Sequence, residues 1–144
     1  MGRYVPCAGI VNQLPLSIDI DDIVAIHDAA LARYGGLPGM RQEGCLAQVH
    51  GNAMLAEQYS GNEDGSLGLC FVGSLMFYLI KGQCFMDGNK RTGLGVALRL
   101  LANLGLTLNI SPEDLKLQCE EIAMDTRMTS GEVVSWLSQN IVQA

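Results

Sequence analysis

A short polar run between two apolar segments carries the side chains of this sequence that are best suited to chemistry. It reads GQCFMDGNKRTG over residues 82–93. Its charged side chains are those of Asp87, Lys90 and Arg91, and its amide side chains are those of Gln83 and Asn89. Gly88 comes directly before the first residue of a predicted helix, and the free N–H groups of a helix N-terminus bind anions. Lys and Arg add cationic donors, and a carboxylate such as Asp87 can hold Mg²⁺ beside a polyphosphate. The run therefore predicts a site for nucleotide phosphates.

The two best-known phosphate loops do not fit this run. A Walker A loop has the pattern G-x-x-x-x-G-K-[ST], but Gly82 and Gly88 are one residue too far apart and Asn89 precedes Lys90. A Rossmann glycine fingerprint is also absent. On the residues alone, the run could equally be a capped helix start with a solvated charged turn.

The elements that must position this run are predicted to be helices, with one short extended piece. Apolar residues recur at helical spacing in most segments, and the segment from Leu67 to Lys81 is apolar nearly all round, as in a buried central helix. We predict an all-α fold whose central buried helix pair surrounds the run. Its helices cover about residues 19–34, 42–59, 67–81, 89–104, 112–127 and 130–141, with an extended piece at 106–108.

Composition supports one compact domain. The chain has 144 residues, 49% of them hydrophobic and 17% charged, which suits a single folded unit with its own core. We predict an irregular lead-in over residues 1–16 and one domain over residues 17–144. The net charge of −6 argues against a broad nucleic-acid surface, and no apolar stretch is long enough to span a membrane.

The five cysteines show no regular spacing. No C-x-x-C pattern occurs, so the sequence indicates neither a zinc site nor a disulfide framework. We expect Cys70 and Cys119 to be reduced thiols that are buried or partly buried, in a reducing cytoplasm. Cys84 could be a reactive thiol, because it lies close to the predicted helix start.

Two segments resemble the Doc branch of the Fic/Doc family. Phe85 and the DGNKR run of residues 87–91 match the signature H-x-F-x-[D/N]-[G/A]-N-K-R. His27-Asp28 and the RYGGLPG segment of residues 33–39 resemble the first helix and turn of Doc proteins. The Fic branch proper has glycine where this chain has Lys90. The order of elements fits from about Ser17 to Leu137, so the resemblance implies a single Fic/Doc helical domain.

The resemblance also implies roles for residues of the run. Gly88, Asn89, Lys90 and Arg91 would hold the phosphates of ATP, and Asp87 would hold or orient Mg²⁺. Phe85 would anchor the loop on the core. Lys90 occupies a phosphate cradle that is open in the Fic branch, which implies transfer of phosphate rather than AMP. The implied activity is that of a protein kinase acting on a hydroxyl of a translation factor such as EF-Tu.

Position 83 departs from the family pattern. The signature opens with a histidine that takes the proton from the target hydroxyl, and this chain has Gln83 there. Glutamine does not titrate near neutral pH and cannot be a general base, and losing such a base lowers the rate by about 10²–10⁴-fold. An inactivating mutation, a natural pseudoenzyme and an enzyme with a different base all remain open. His27 could be a second base, although packing of its helix against the turn or core explains it more simply.

The resemblance implies a cytoplasmic bacterial toxin controlled by a separate Phd-type antitoxin. The inhibitory motif [ST]-x-x-x-E-[GN] of some Fic proteins does not occur in this sequence. We expect a protein substrate, no direct contact with nucleic acid and no membrane. Two alternatives remain, an AMP transferase of the Fic type and a catalytically dead module that only binds its partners.

Overall fold

The computed structural model describes residues 18–60 and 68–144, which form six helices and two short strands. The predicted all-α class is confirmed. The lead-in of residues 1–16 and most of the predicted polar loop from Ser60 to Ser66 lie outside the described residues. The elements are α1 (Ile20–Tyr34), α2 (Cys45–Ser60), α3 (Leu69–Gly82), α4 (Asn89–Asn103), β1 (Leu106–Leu108), α5 (Pro112–Met124), α6 (Ser130–Asn140) and β2 (Ile141–Gln143).

Side-chain caps begin three of the helices at the places that the sequence indicated. Asp19, Ser111 and Thr129 each accept a hydrogen bond from the backbone N–H three residues later. Such caps satisfy N–H groups that have no partner within the helix, and each stabilises its helix by about 1 kcal/mol. The first helical turns that follow are therefore determined locally.

The ends of two helices differ from the sequence prediction. α5 ends at Met124 rather than near Arg127, and Asp125 is its C-cap. The last helix ends at Asn140, because Ile141 begins β2, which pairs antiparallel with β1 in the register Leu108↔Ile141. The partner strands are far apart in the sequence, so helical periodicity alone carried no signal of this pairing.

Helix α3 is the centre of the domain and packs against α2, α4, α5 and α6. Two glycines let neighbouring helices approach closely. A Cβ at Gly73 would lie 2.7 Å from Val134 Cγ2 on α6, and one at Gly93 would lie 2.7 Å from Ile80 Cγ1. The close contact at Gly93 holds the first turns of α4 against α3. None of the helices that the structure describes is long and apolar enough to cross a membrane.

Candidate active site

The polar run forms a tight loop between α3 and α4. Gln83 ends α3 at φ 49° and is the one residue other than glycine with a positive φ in the described part of the chain. Gly88, at φ 81°, precedes the first residue of α4. A long side chain in the left-handed region is uncommon and marks a constrained backbone. Gln83 itself is exposed.

The loop is held at its back by the segment that follows α1. Arg41 N–H donates to the Cys84 carbonyl (2.7 Å), and Met86 N–H donates to the Gly39 carbonyl (2.9 Å). These bonds flank a single antiparallel bridge between Met40 and Phe85. Gly39, the last residue of the RYGGLPG segment, and the two residues after it are therefore structural partners of the loop.

Asn89 closes the loop with both ends of its side-chain amide. Its Nδ2 donates to the Phe85 carbonyl (3.0 Å), and its Oδ1 accepts from Phe85 N–H (3.1 Å). The resemblance implied that Asn89 holds phosphate directly, but in this structure its amide shapes the backbone that would do so. One N–H of the amide has no role in this closure and remains a possible donor to a ligand.

The N-terminus of α4 has no side-chain cap. The first helical hydrogen bond at this end joins Thr92 N–H to the Gly88 carbonyl (2.9 Å). No side chain in the described residues accepts from the N–H groups of Asn89, Lys90 or Arg91. α3 also begins after a glycine, but there the buried Glu57 carboxylate accepts from Phe71 N–H (2.8 Å). An uncapped helix start with exposed cations beside it is suited to binding an anion.

The Asp87 carboxylate is oriented by two backbone N–H groups. Oδ1 accepts from Gly88 N–H (2.9 Å), and Oδ2 accepts from Leu37 N–H (3.2 Å). A Cβ at Gly36 would lie 2.9 Å from Asp87 Oδ2, so this close approach requires glycine, as does the φ of 130° at Gly36. Each carboxylate oxygen keeps a free lone pair, because a carboxylate can accept about four hydrogen bonds.

Asp87 fits a shared Mg²⁺ site rather than a complete protein cage. No group of three or more His, Cys, Asp or Glu residues in the described part of the chain could hold a metal. Asp87 is exposed beside the uncapped end of α4. A cation bound there would need oxygens from another source, and nucleotide phosphates usually supply them for Mg²⁺.

Lys90 and Arg91 are both exposed at the start of α4. The Arg91 guanidinium lies 4.3 Å from the centre of the Tyr34 ring at the end of α1, a cation–π contact that restricts where it can point. The Arg91 cation is therefore held on the α1 side of the site. Burial is the largest cause that raises the pKa of the Cys119 thiol on α5 to about 11, while the charge of Lys90 lowers this pKa and that of Glu120 raises it.

His27 lies beneath the loop and is not placed to act on a substrate. Its side chain is 2% exposed, and its ring stacks on Phe85 with centres 3.7 Å apart and planes 7° apart. Its Nε2 lies 2.9 Å from the Asp87 carbonyl oxygen. The hypothesis of a second base is therefore disfavoured, and the expected packing of His27 against the turn and core agrees with its burial. Phe85 is also buried, as the anchor role requires.

The cysteine prediction was wrong in one respect. Cys45, the first residue of α2, forms a disulfide with Cys84, whose side chain is fully buried. Cys84 is therefore not a reactive thiol in this structure. The two cysteines are 39 residues apart, and only the packing of α2 beside the loop brings their Cα atoms to 5.5 Å. Cys70 is partly buried and Cys119 is buried, as expected.

The comparisons with known proteins agree with this architecture and loop. The model of the Fic/DOC family matches residues 17–101, which include α1 and the entire loop. The chain belongs to the Fic/DOC family, in its Doc branch. It is similar to the protein kinase doc of Escherichia phage P1, with 35% identity over 98 residues that cover 67% of this chain and 74% of that protein.

Proposed function

We propose that this chain is a Doc-like toxin of a toxin–antitoxin system, built to transfer phosphate from ATP to a hydroxyl of a translation factor. The observation that carries the proposal is the uncapped start of α4, with Asp87 oriented beside it and Arg91 held on Tyr34. The similarity to a protein named as a kinase supports it. The target would be an EF-Tu-like protein in a bacterial cytoplasm, and a Phd-type antitoxin would be the natural inhibitor.

The phosphates of ATP would bind to the backbone N–H groups at the start of α4. Gly88 gives them close access, and Asn89 keeps the loop in the shape that points these N–H groups outward. Arg91 can bind a phosphate through two hydrogen bonds, and Lys90 supplies a second charge. The dipole of α4, the N–H groups at its start and the two side-chain cations would then all bind the same phosphates.

Mg²⁺ would be held by the Asp87 carboxylate together with the phosphates. Bound there, it would neutralise negative charge that develops on the phosphates during transfer. Within the chain, Gly88 N–H and Leu37 N–H keep the carboxylate directed at this position without occupying all of its lone pairs.

The reaction would be an in-line transfer. The oxygen of the target hydroxyl bonds to the γ-phosphorus, the bond from that phosphorus to the β,γ-bridging oxygen breaks, and ADP leaves. The proton of the hydroxyl must go to a base. Gln83 is exposed at the end of α3, and it can hydrogen-bond a hydroxyl but cannot take its proton. This form of the chain should therefore bind nucleotide but turn over slowly.

A protein substrate suits the rim of the site. Leu37, Met40 and Met86 expose between 40% and 61% of their surfaces where the α1 turn meets the loop. Exposed apolar side chains beside polar groups are typical of surfaces that contact other proteins. The rim supports a macromolecular target rather than a small hydroxyl compound.

The experiment is transfer of label from γ-³²P-ATP and from α-³²P-ATP to proteins of a bacterial lysate. It compares the chain as it stands with Gln83→His. The proposal expects γ label on one main protein, with the histidine form about 10²–10⁴-fold faster. Label from α-³²P-ATP would instead favour AMP transfer. No label with either variant would contradict the proposal.

Gln83 favours one second candidate, a binding module that does not catalyse transfer. Such a module would bind Mg–ATP or its antitoxin with normal affinity and have no transferase activity even as Gln83→His. His27 does not offer a replacement base, because it is buried and its Nε2 is engaged by the Asp87 carbonyl. The histidine variant in the label experiment therefore separates the two candidates.

A further inference from the structure

The contacts of His27 suggest a role that packing alone does not require. It is one of four polar or charged side chains that are buried in the described residues. A carbonyl oxygen only accepts hydrogen bonds, so Nε2 carries the hydrogen in its contact with the Asp87 carbonyl (2.9 Å). Nδ1 faces the Asp28 carboxylate at 3.2 Å. The hydrogen bond from Nε2 therefore fixes the orientation of the ring.

The peptide that His27 holds is the one that precedes α4. The Asp87 carbonyl belongs to the Asp87–Gly88 peptide, and Gly88 N–H on the same peptide donates to Asp87 Oδ1 (2.9 Å). Both polar groups of this peptide are therefore engaged. Rotation of this peptide would redirect the Asp87 carboxylate and the first N–H groups of the helix together.

Besides the backbone bonds of Gly39 and Arg41, three contacts of α1 and the turn after it hold the Asp87 residue and Arg91. His27 holds the Asp87 carbonyl, Leu37 N–H holds its carboxylate, and Tyr34 supports Arg91. Of these, His27 is the one that is buried, so its hydrogen bond is shielded from competition with water. It is also the one that stacks on Phe85 within the loop.

We propose that His27 is a positioning residue, whose Nε2–H holds the Asp87–Gly88 peptide in the orientation that binds phosphate and Mg²⁺. The effect on binding of phosphate and Mg²⁺ rests on the proposed function. The hold of His27 on the Asp87–Gly88 peptide does not depend on that function. His27 acts from 60 residues away in the sequence and does not itself touch the ligand. It couples the rigid first helix to the start of α4.

Two variants separate the hydrogen bond from the packing. His27→Phe keeps a flat ring against Phe85 but removes the donor. His27→Gln loses the ring but places an amide N–H close to where Nε2 lies. His50→Phe is the matched control, because His50 Nε2 contacts the Ile18 carbonyl (2.7 Å) away from the loop.

The test measures binding of Mg²⁺ with the non-hydrolysable analogue AMP-PNP by calorimetry, and thermal unfolding of the same proteins. His27→Phe should bind about 5- to 30-fold more weakly, the loss expected when a hydrogen bond of this kind is removed. His27→Gln should bind within about threefold of the parent although it unfolds at a lower temperature. His50→Phe should lose stability without losing affinity. An affinity that simply follows the unfolding temperature across all variants would overturn the proposal.

A second measurement keeps this inference separate from the proposed function. Amide hydrogen exchange at Phe85, Gly88 and Thr92, whose N–H groups are hydrogen-bonded in the loop and at its junction with α4, reports this region without any ligand. It should accelerate in His27→Phe and return towards the parent rate in His27→Gln. If the parent binds no AMP-PNP but the exchange changes in this way, the proposed function fails and the positioning role stands. Unchanged exchange in His27→Phe would refute the positioning role.

Discussion

Replacing Asn89 by aspartate tests whether the closed loop is what binds phosphate. The substitution keeps the shape of the side chain and the acceptor for Phe85 N–H. It removes the Nδ2–H that donates to the Phe85 carbonyl and places a carboxylate oxygen about 3.0 Å from that carbonyl oxygen. The backbone of the loop should therefore loosen at Phe85, directly opposite the start of α4.

The size of the effect follows from the contacts. A lost hydrogen bond reduces stability by about 0.5–1.5 kcal/mol, and an acceptor left without a donor adds about 1 kcal/mol or more when it is partly buried. The new negative charge at the N-terminus of α4 offsets about 0.3–1 kcal/mol of this through the helix dipole. We expect Asn89→Asp to lower the free energy of unfolding by about 1–2 kcal/mol.

We expect Asn89→Asp to reduce the free energy of phosphate binding more than the free energy of unfolding. At a separation of about 8 Å and an effective dielectric constant of about 20, two like charges repel by about 2 kcal/mol. This repulsion alone should weaken binding of Mg–AMP-PNP more than tenfold, and loosening of the loop adds to it. Calorimetric titration gives the affinity, and urea unfolding gives the stability.

Asn140→Asp is the matched control for this substitution. Asn140 Nδ2 donates to the Trp136 carbonyl (2.7 Å), which is also four residues earlier in the chain, but at the far end of α6. This variant should lose stability without any change in affinity. If Asn89→Asp loses stability and binds AMP-PNP as well as the parent, the loop is structural and phosphate binds elsewhere. If its stability is unchanged, the amide does not close the loop in solution.

Three further predictions follow from the described contacts. Gly36→Ala should weaken Mg–AMP-PNP binding about tenfold or more, because its Cβ would displace the Asp87 carboxylate, and calorimetry measures the change. Reducing the Cys45–Cys84 disulfide should lower the free energy of unfolding by about 4 kcal/mol, from the chain entropy of a loop of about 40 residues, and urea unfolding with and without dithiothreitol measures it. Burial raises the pKa of the Cys119 thiol from 9.0 to about 11. The stability that the protonated thiol contributes is therefore present below pH 9 and is lost as the pH rises to 11. Thermal unfolding of the parent and of Cys119→Ala between pH 9 and 11 measures this loss.

Each of these three predictions has its own control. Gly51→Ala, at a helical position where a Cβ would meet nothing within 4 Å, should leave binding unchanged and increase stability by about 0.5–1 kcal/mol. Substituting both Cys45 and Cys84 by serine should abolish the effect of dithiothreitol. For Cys119, the sign follows from proton binding: between pH 9 and 11 the folded state holds the proton that the unfolded state has released, so raising the pH favours unfolding. Equal pH dependence in Cys119→Ala would contradict this assignment.

Much of the site could be predicted because it lies within one stretch of chain. The residues from Gln83 to Arg91 are contiguous, and the helix start that they form depends on local features, namely a glycine and the apolar helix that follows. The caps at Asp19, Ser111 and Thr129 are also local, and all three were found as predicted starts. By contrast, the pairing of β1 with β2 depends on two distant segments. The sequence predicted an extended piece at β1 but no strand at β2.

The sequence by itself determined the helical class and the central apolar helix, and it predicted an anion site at the start of α4, because periodicity, capping and charge act over a few residues. Only the tertiary structure decided that His27 supports the Asp87 carbonyl, that Tyr34 holds Arg91 and that Cys45 reaches Cys84. The two residues of each of these pairs are 39 to 60 residues apart in the sequence. Side-chain types do not reveal which distant residue each will meet, because that depends on how the helices pack against α3.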